Sequence, residues 1–233
     1  MKSKINRYER KWIYKNDNYF DLINSLLRSN LFFSNQHSQR KVNSIYFDTF
    51  NYTSARENID WSKNKLKIRI RWYGNETIIN NPSLEIKKKQ GFITEKQTRS
   101  ILNINNLKFN NYKNLLKIKK IVNDLVKTSQ EIIPTSSTHY DRQYFVSSNQ
   151  NIRATVDFNI KSIFLKNNSQ LNITRNYSNK SILELKYSAE YDEYVRKSLS
   201  QITLRLSKNS KFIGSLFNVY SIGNSFTSLS TKR

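Results

Sequence analysis

Charged and apolar residues alternate one by one along two stretches near the middle of this chain. The first stretch, at residues 65–74, reads KLKIRIRWYG. Successive side chains of a β-strand point to opposite faces, so this stretch predicts a strand with one cationic face and one apolar face. The cationic face carries Lys65, Lys67, Arg69 and Arg71, and the apolar face carries Leu66, Ile68, Ile70 and Trp72.

The second stretch, SLEIKKKQGFITEKQTR at residues 83–99, repeats the arrangement. One face of the predicted strand carries Glu85, Lys87 and Lys89, and the other carries Leu84 and Ile86. One interpretation is an antiparallel strand whose polar face simply meets water. However, like charges side by side on a strand cost stability, and no acid interrupts the four cations of the first stretch. A polyanionic ligand against this face would remove that cost.

The same alternation, in shorter runs, predicts further strands at residues 7–14, 42–48, 140–146, 151–158, 161–166 and 181–187. Apolar residues at helical spacing predict helices at residues 19–29, 52–59, 106–129, 190–202 and 214–222. We find no internal repeat and no interdomain linker in this pattern. The sequence therefore predicts one domain over residues 1–223 and a disordered, Ser/Thr-rich tail at residues 224–233.

Composition narrows the classes of partner and of chemistry. The chain has 40 Lys and Arg against 17 Asp and Glu, a formal charge of +23 that favours an anionic partner. It has no cysteine for disulfides or thiolate catalysis, and only two histidines for a zinc site or a catalytic triad. No apolar run reaches the ~20 residues of a membrane span, and the first residues lack the apolar core of a signal peptide. We expect a soluble, cytoplasmic protein.

Several strands that each have one apolar and one charged face predict an α+β fold with a closed antiparallel barrel. If the apolar faces point outward under a layer of helices, the Lys/Arg faces line a tunnel. Four carboxylates are candidate metal ligands in this lumen: Glu9, Glu85, Asp157 and Glu184. Lys, Arg and a divalent metal ion are the groups that neutralise a triphosphate. Neither GxxxxGK[ST] nor GxGxxG occurs, so no P-loop or dinucleotide-binding loop competes with this interpretation.

Nine short motifs, in order along nearly the whole chain, resemble the VTC domain (vacuolar transporter chaperone). This is the catalytic domain of polyphosphate polymerases, within the triphosphate tunnel metalloenzyme superfamily. The motifs are YERKW, SIYFDT, KIRIRWYG, LEIKKK, EKQTR, YDRQYF, IRATVD, LELKY and SKNSKFIGSL. The resemblance implies an antiparallel β-tunnel that synthesises inorganic polyphosphate from ATP with a divalent metal ion, Mn²⁺ or Mg²⁺.

The resemblance also implies roles for individual residues. The positions that match the family's phosphate-binding residues are Lys11, Arg69, Arg71, Lys87, Arg142, Arg153, Lys208 and Lys211. Glu184 matches the family's metal-binding glutamate, and Lys186 follows it on the same face of the strand. In EKQTR the family's basic position falls on Arg99, with Lys96 as the near alternative. Lys67 belongs to the cationic row of the first stretch.

Two other functions stay open at this point. Tunnel hydrolases begin with ExExK, whereas this chain has Arg7-x-Glu9-x-Lys11, which favours a polymerase over a triphosphatase. A triphosphatase would use the same fold and ligand, with water as the acceptor. A non-catalytic module for polyphosphate or RNA would expose aromatic residues among its cations, but here most aromatic residues fall on the opposite face. The expected partners are ATP and inorganic polyphosphate, not nucleic acid, and export of a product would need a membrane partner.

Overall fold

The alternating segments form strands and the apolar stripes form helices in a computed structural model of the protein. It describes residues 7–15, 18–60, 62–91, 93–165, 174–200, 206–207 and 209–220, without the side chains of residues 15, 174–178 and 217–220. The predicted tail at residues 224–233 and the predicted phosphate ligand Lys208 lie outside the described residues. No helix in the described part of the chain is long and apolar enough to cross a membrane.

Within the described residues, nine strands and five α-helices follow one another. The strands are β1 (Arg7–Lys15), β2 (Ser34–Thr49), β3 (Asn64–Tyr73), β4 (Ser83–Gln90), β5 (Ile93–Ser100), β6 (Ile132–Val146), β7 (Arg153–Phe164), β8 (Thr174–Ser178) and β9 (Lys180–Ser188). The α-helices are α1 (Tyr19–Leu27), α2 (Thr53–Ile59), α3 (Tyr112–Val126), α4 (Asp192–Ser198) and α5 (Lys211–Tyr220). Short 3-10 helices span Leu102–Ile104 and Ala189–Tyr191.

The strands form an antiparallel sheet with the order β1-β9-β7-β6-β2-β3-β4-β5, and β8 pairs with β7. This order bears out the predicted antiparallel sheet with its helices, but closure of the sheet into a barrel is not shown and stays a prediction. Two compact units divide the chain. The first comprises Met1–Arg40, Tyr140–Ile160 and Tyr177–Asn209, and the second comprises Lys41–His139, Lys161–Asn176 and Ser210–Arg233.

The core of the second unit lies on the apolar face of β3 and β4, opposite the cations. Ile68, Ile70 and Trp72 are at most 2% exposed. They belong to one apolar cluster with Ile118 and Val122, which lie on the apolar stripe of α3. Burying an aliphatic side chain of this size contributes about 1.5–3 kcal/mol, so this packing fixes which face of the strands is covered. The cationic face is consequently left for contacts with other groups.

The core of the first unit is built in the same way. Leu183 and Leu185 of β9 are buried in one cluster with Leu22 and Leu26 of α1. The residues that alternate with them on β9 include Glu184, which therefore belongs to the charged face. In both units, the helix that covers the apolar face orients the polar side chains of the same strand.

Three strands differ from the predicted segments by more than one residue at an end or by joining two of them. Polar residues at 34–41 extend β2 in front of the predicted segment. Strand β7 joins the segments predicted at 151–158 and 161–166 and runs without interruption through Asn159, which has a φ of 52°. Strand β6 begins at Ile132, eight residues before the predicted segment, and Pro134 lies inside the strand near its start. The run from Thr135 to His139 is polar yet fully buried, and such a run lacks the apolar alternation that signals a strand.

Candidate functional site

Two groups of charged side chains collect on the charged faces of the strands, one in each unit. The Glu85 cluster of the second unit consists of Tyr46, Arg69, Arg71, Glu85 and Lys96. The Glu184 cluster of the first unit consists of Glu9, Lys11, Glu184 and Lys186.

Three cations surround one carboxylate in the Glu85 cluster. The pairing of β3 with β4 places Arg69 directly opposite Glu85. The Arg69 Nε and Nη2 atoms both donate to Glu85 Oε2, at 2.9 and 2.6 Å. Arg71 Nη1 and Lys96 Nζ each lie 3.4 Å from Glu85 Oε1. The cluster therefore keeps an excess of positive charge, which suits an anionic ligand.

The ionised state of Glu85 follows from these neighbours. Burial alone raises the pKa of this carboxyl group, but the charges of Arg69 and Arg71 outweigh burial and lower the pKa to about 2. Glu85 is thus a carboxylate at neutral pH and a very weak base. Its role in the free protein is to hold the two guanidinium groups close together despite their mutual repulsion.

Tyr46 brings the beginning of helix α5 to the same cluster. Its hydroxyl group accepts a hydrogen bond from Arg69 Nη1 at 3.4 Å, and its ring lies 5.3 Å from that of Phe212 in α5. Burial raises the pKa of Tyr46, but Arg69 and Lys211 lower it more, so the net shift is downward. Lys67 Nζ lies 3.1 Å from Ser210 Oγ, directly before α5. Lys67 and Lys211 therefore flank the Glu85 cluster.

Strand register decides which basic residue of EKQTR shares the charged face. Lys96 pairs across β4–β5 with Lys87, which in turn pairs with Lys67 on β3. Arg99 pairs with the buried Leu84 and so lies on the opposite face of the sheet. The geometry favours Lys96 over Arg99 as the basic residue of this segment.

The Glu184 cluster contains equal numbers of lysines and glutamates. In the β1–β9 pairing, Lys11 lies opposite Glu184, and Glu9 lies opposite Lys186. Lys11 Nζ bridges the two acids, at 2.8 Å from Glu9 Oε1 and 3.4 Å from Glu184 Oε2. Lys186 Nζ lies 2.7 Å from Glu184 Oε1. Two carboxylates share one ammonium group, an arrangement that a divalent cation can replace.

Both partners in the centre of this cluster are held in their charged forms. Burial raises the pKa of Glu184, but Lys11 and Lys186 lower it more, to about 2. Burial lowers the pKa of the Lys11 ammonium group, but Glu184 and Glu9 raise it more, so the net shift is upward. The carboxylate is therefore available as a hard oxygen ligand throughout the physiological pH range.

Arg142 and Asp157 form a buried ion pair in the first unit. The Arg142 Nε and Nη2 atoms contact the two oxygens of Asp157 at 2.5 and 2.8 Å, and Asp157 is completely buried. Burial lowers the pKa of Arg142, but Asp157 raises it more strongly. Arg153 is exposed and lies opposite Lys186 in the β7–β9 pairing. Of these three residues, Arg153 is therefore the most accessible to a ligand.

The donor set of the Glu184 cluster fits a divalent metal ion in part. Among the described residues, no group of three or more His, Cys, Asp or Glu side chains could hold a metal ion. Glu9 and Glu184 supply oxygen ligands, and Thr155, opposite Glu184, has a buried hydroxyl group without a hydrogen-bond partner in the described part of the chain. Mg²⁺ is commonly held by one or two carboxylates, with substrate phosphates and water as the other ligands. These residues fit that mode of binding.

The four predicted metal ligands differ in the charged groups that they contact. Glu85 is surrounded by cations, and Asp157 is paired with Arg142, so Glu9 and Glu184 are the better placed of the four predicted metal ligands. Sequence reasoning did not identify Tyr46, Ser210 or Thr155 as site residues. Tyr46 could have been found, because it alternates with two buried residues in SIYFDT, whereas the other two depend on contacts between distant segments.

Comparisons with known proteins agree with the arrangement of strands. A family model described as the VTC domain matches residues 6–220. No curated protein matches the chain at a significant level.

Several solved structures share the fold. One is a proposed adenylyl cyclase from Hippeastrum whose dominant activity is that of a triphosphatase (TM-score 0.54, 14% identity, 90% of this chain and 95% of that one). A second is a proposed adenylate cyclase from Vibrio parahaemolyticus (TM-score 0.51, 11% identity, 88% of this chain and 96% of that one). A third is a proposed adenylate cyclase from Bacillus halodurans (TM-score 0.50, 16% identity, 91% of this chain and 98% of that one). At these identities the likeness shows a common fold.

Proposed function

This chain belongs to the VTC domain family, and from that premise we propose that it is an ATP-polyphosphate phosphotransferase. The reaction transfers the γ-phosphoryl group of ATP to the end of a growing inorganic polyphosphate chain. The bond between the β–γ bridging oxygen and the γ-phosphorus breaks, a bond from the terminal oxygen of the chain to that phosphorus forms, and ADP leaves. A divalent metal ion, Mn²⁺ or Mg²⁺, accompanies the nucleotide.

The Glu85 cluster supports the binding of the phosphates. Arg69 and Arg71 present planar guanidinium groups, which suit the bidentate recognition of phosphate oxygens. In the free protein both arginines contact Glu85, so the cost of holding two like charges together is already partly offset. Lys96 carries further positive charge to the same face. These groups act by position and charge, which is most of what phosphoryl transfer requires.

The Glu184 cluster supports the binding of the metal ion. Glu184 and Glu9 would hold the ion, and Lys11, which now bridges them, would be free to contact a phosphate oxygen. When bound, the metal ion neutralises charge on the transferring phosphoryl group. Lys186 and Arg153 lie side by side and would keep the phosphates oriented at this cluster.

The low pKa values of Glu85 and Glu184, both about 2, favour a phosphate chain over water as the acceptor. A general base works best when its pKa lies near the operating pH, so neither carboxylate is suited to remove a proton from water. The terminal oxygen of a phosphate chain is already ionised near neutral pH and needs no such base. The acceptor that best matches these residues is therefore a phosphate chain.

The test is to identify the product made from ATP. The purified protein is incubated with ATP and Mn²⁺, and polyphosphate is resolved on a gel while orthophosphate is measured in parallel. We expect chains that lengthen with time. Arg69→Ala is expected to abolish them, and Lys88→Gln, which removes a lysine from the other face of β4, serves as the matched control. Release of orthophosphate alone at every metal and salt concentration would refute the polymerase.

A triphosphatase is the second candidate, favoured by the activity of the Hippeastrum protein that shares the fold. It would bind the same triphosphate with the same residues and differ only in using water as the acceptor. Orthophosphate released from tripolyphosphate, without chain growth, would establish it. Binding of polyphosphate without any turnover would instead indicate a non-catalytic module.

A further inference from the structure

A row of lysines extends the charged face of the second unit beyond the Glu85 cluster. One row across β3, β4 and β5 consists of Lys67, Lys87 and Lys96. In the next row on the same face, two residues further along each strand, Lys65 pairs directly with Lys89. Lys89 in turn pairs with Thr94 on β5. These two rows consist of five lysines and one threonine, with no acid among them.

The opposite face of the same strands is built differently. Lys88, between Lys87 and Lys89, pairs with Leu66 on one side and with Glu95 on the other. A lysine on that face is thus matched by an acid or an apolar neighbour. Lysines placed directly opposite each other destabilise a sheet, so the Lys65–Lys89 pair, which has no acid next to it in the strand pairing, calls for an explanation.

Exposure increases along β4 in one direction. Glu85 is buried, whereas Lys87, Lys89 and all of β5 are exposed. From Arg71 to Lys65 the strand advances six residues, about 20 Å at the rise of an antiparallel strand. On β4 the face therefore leads from the buried Glu85 to the exposed Lys89, which pairs with the half-buried Lys65 of β3.

We propose that Lys65 and Lys89 form an outer subsite that binds linear inorganic polyphosphate beyond the phosphates held at the Glu85 cluster. This proposal rests on the proposed function and deepens it, because it states which residues distinguish a long polyphosphate chain from a triphosphate. A linear chain with a charge on every phosphate can contact successive rows of a strand face. A triphosphate bound at Arg69 and Arg71 does not extend to the last row.

The composition of the rows favours polyphosphate over single-stranded nucleic acid. Proteins that bind single strands combine cations with aromatic side chains on which the bases stack. The rows of Lys65 and Lys67 contain only lysine and threonine. They offer charge without a stacking platform, which matches a polymer that has no bases.

The experiment compares two ligands on matched variants. Affinities for tripolyphosphate and for polyphosphate of about one hundred phosphates are measured by calorimetry on the wild type, on Lys65→Gln/Lys89→Gln and on Lys88→Gln. We expect the double variant to lose about five- to tenfold in affinity for the long chain, and distinctly less for tripolyphosphate. The slope of log affinity against log salt for the long chain should fall by about one to two. Lys88→Gln should change neither affinity.

Equal losses for both ligands, or no loss for either, would overturn the outer subsite. Lys65→Arg/Lys89→Arg keeps the charge and should restore the affinity for the long chain, and thermal melting shows that each variant folds. Because the measurement is of binding, it separates this proposal from the proposed function. If the protein only hydrolyses ATP, the double variant can still lose more affinity for the long chain than for tripolyphosphate, so the outer subsite would stand without the polymerase. If the protein polymerises phosphate but the double variant shows no such difference, the outer subsite alone is wrong.

Discussion

The Glu85 cluster and the Glu184 cluster arise from the same alternation of residues, yet their charge balance differs. Glu85 is surrounded by Arg69, Arg71 and Lys96, three cations for one acid. Around Glu184, two lysines face two glutamates, and one lysine bridges both acids. A cluster with surplus cations selects an anion, whereas two carboxylates that share a cation can take up a metal ion. The number of acids per cation, more than the sheet geometry, thus separates their proposed roles.

The largest expected effect concerns stability. Arg142→Met should destabilise the protein by about 3–5 kcal/mol, because it leaves the fully buried Asp157 without its guanidinium partner. Arg69→Met should cost far less, because Glu85 keeps Arg71 and Lys96. Urea unfolding of both variants measures the difference. The double variant Arg142→Met/Asp157→Leu should recover most of the loss, and similar costs for the two single variants would contradict this reading.

The second prediction concerns pH. The pKa of Glu85 is lowered from 4.5 to about 2 in the folded protein, so its ionised form stabilises the fold above the unfolded pKa. That contribution, at most about 3 kcal/mol, is lost as the pH falls from about 4.5 through 2. Glu85→Gln should therefore be less stable than the wild type at pH 6, with a smaller difference at pH 2.5. Chemical unfolding at both pH values tests this, and a constant difference would argue against it.

A third prediction separates the two carboxylates as metal ligands. Glu184→Gln should weaken Mn²⁺ binding by at least about tenfold, since it removes a charged oxygen ligand. Glu85→Gln should leave Mn²⁺ binding nearly unchanged in the absence of nucleotide, because Glu85 is already engaged by three cations. Calorimetry with the metal alone gives both values independently of turnover. Weaker binding in Glu85→Gln than in Glu184→Gln would reverse the assignment.

The smallest effect is expected at Tyr46. Tyr46→Phe removes the hydroxyl group that accepts the Arg69 hydrogen bond but keeps the ring that packs on Phe212. Affinity for tripolyphosphate should fall about three- to tenfold, the range for one hydrogen bond, while the melting temperature changes little. Tyr187→Phe, which removes a hydroxyl that donates to Asp192 in the first unit, is the control and should not alter this affinity.

The face of the strand on which each side chain lies could be predicted from the sequence alone, because side chains alternate between the two faces of a strand with a period of two. It placed Arg69 and Arg71 on one face of their strand and Ile70 and Trp72 on the other face. It likewise placed Glu184 and Leu183 on different faces of their strand, and the structure has the same arrangement. The uncertain choice between Lys96 and Arg99 could not be resolved in this way, because it depends on the register of β5 against β4.

The sequence by itself determined the strands with two unlike faces, the helices with one apolar stripe and the excess of cations. These features depend on local spacing and on composition, which every segment carries alone. Only the tertiary structure decided which charges meet: Glu85 with Arg69, Lys11 with Glu184 and Asp157 with Arg142. The reason is physical, since a cation's neighbours come from other strands, and strand pairing and helix packing select them among many acids and bases of similar local pattern.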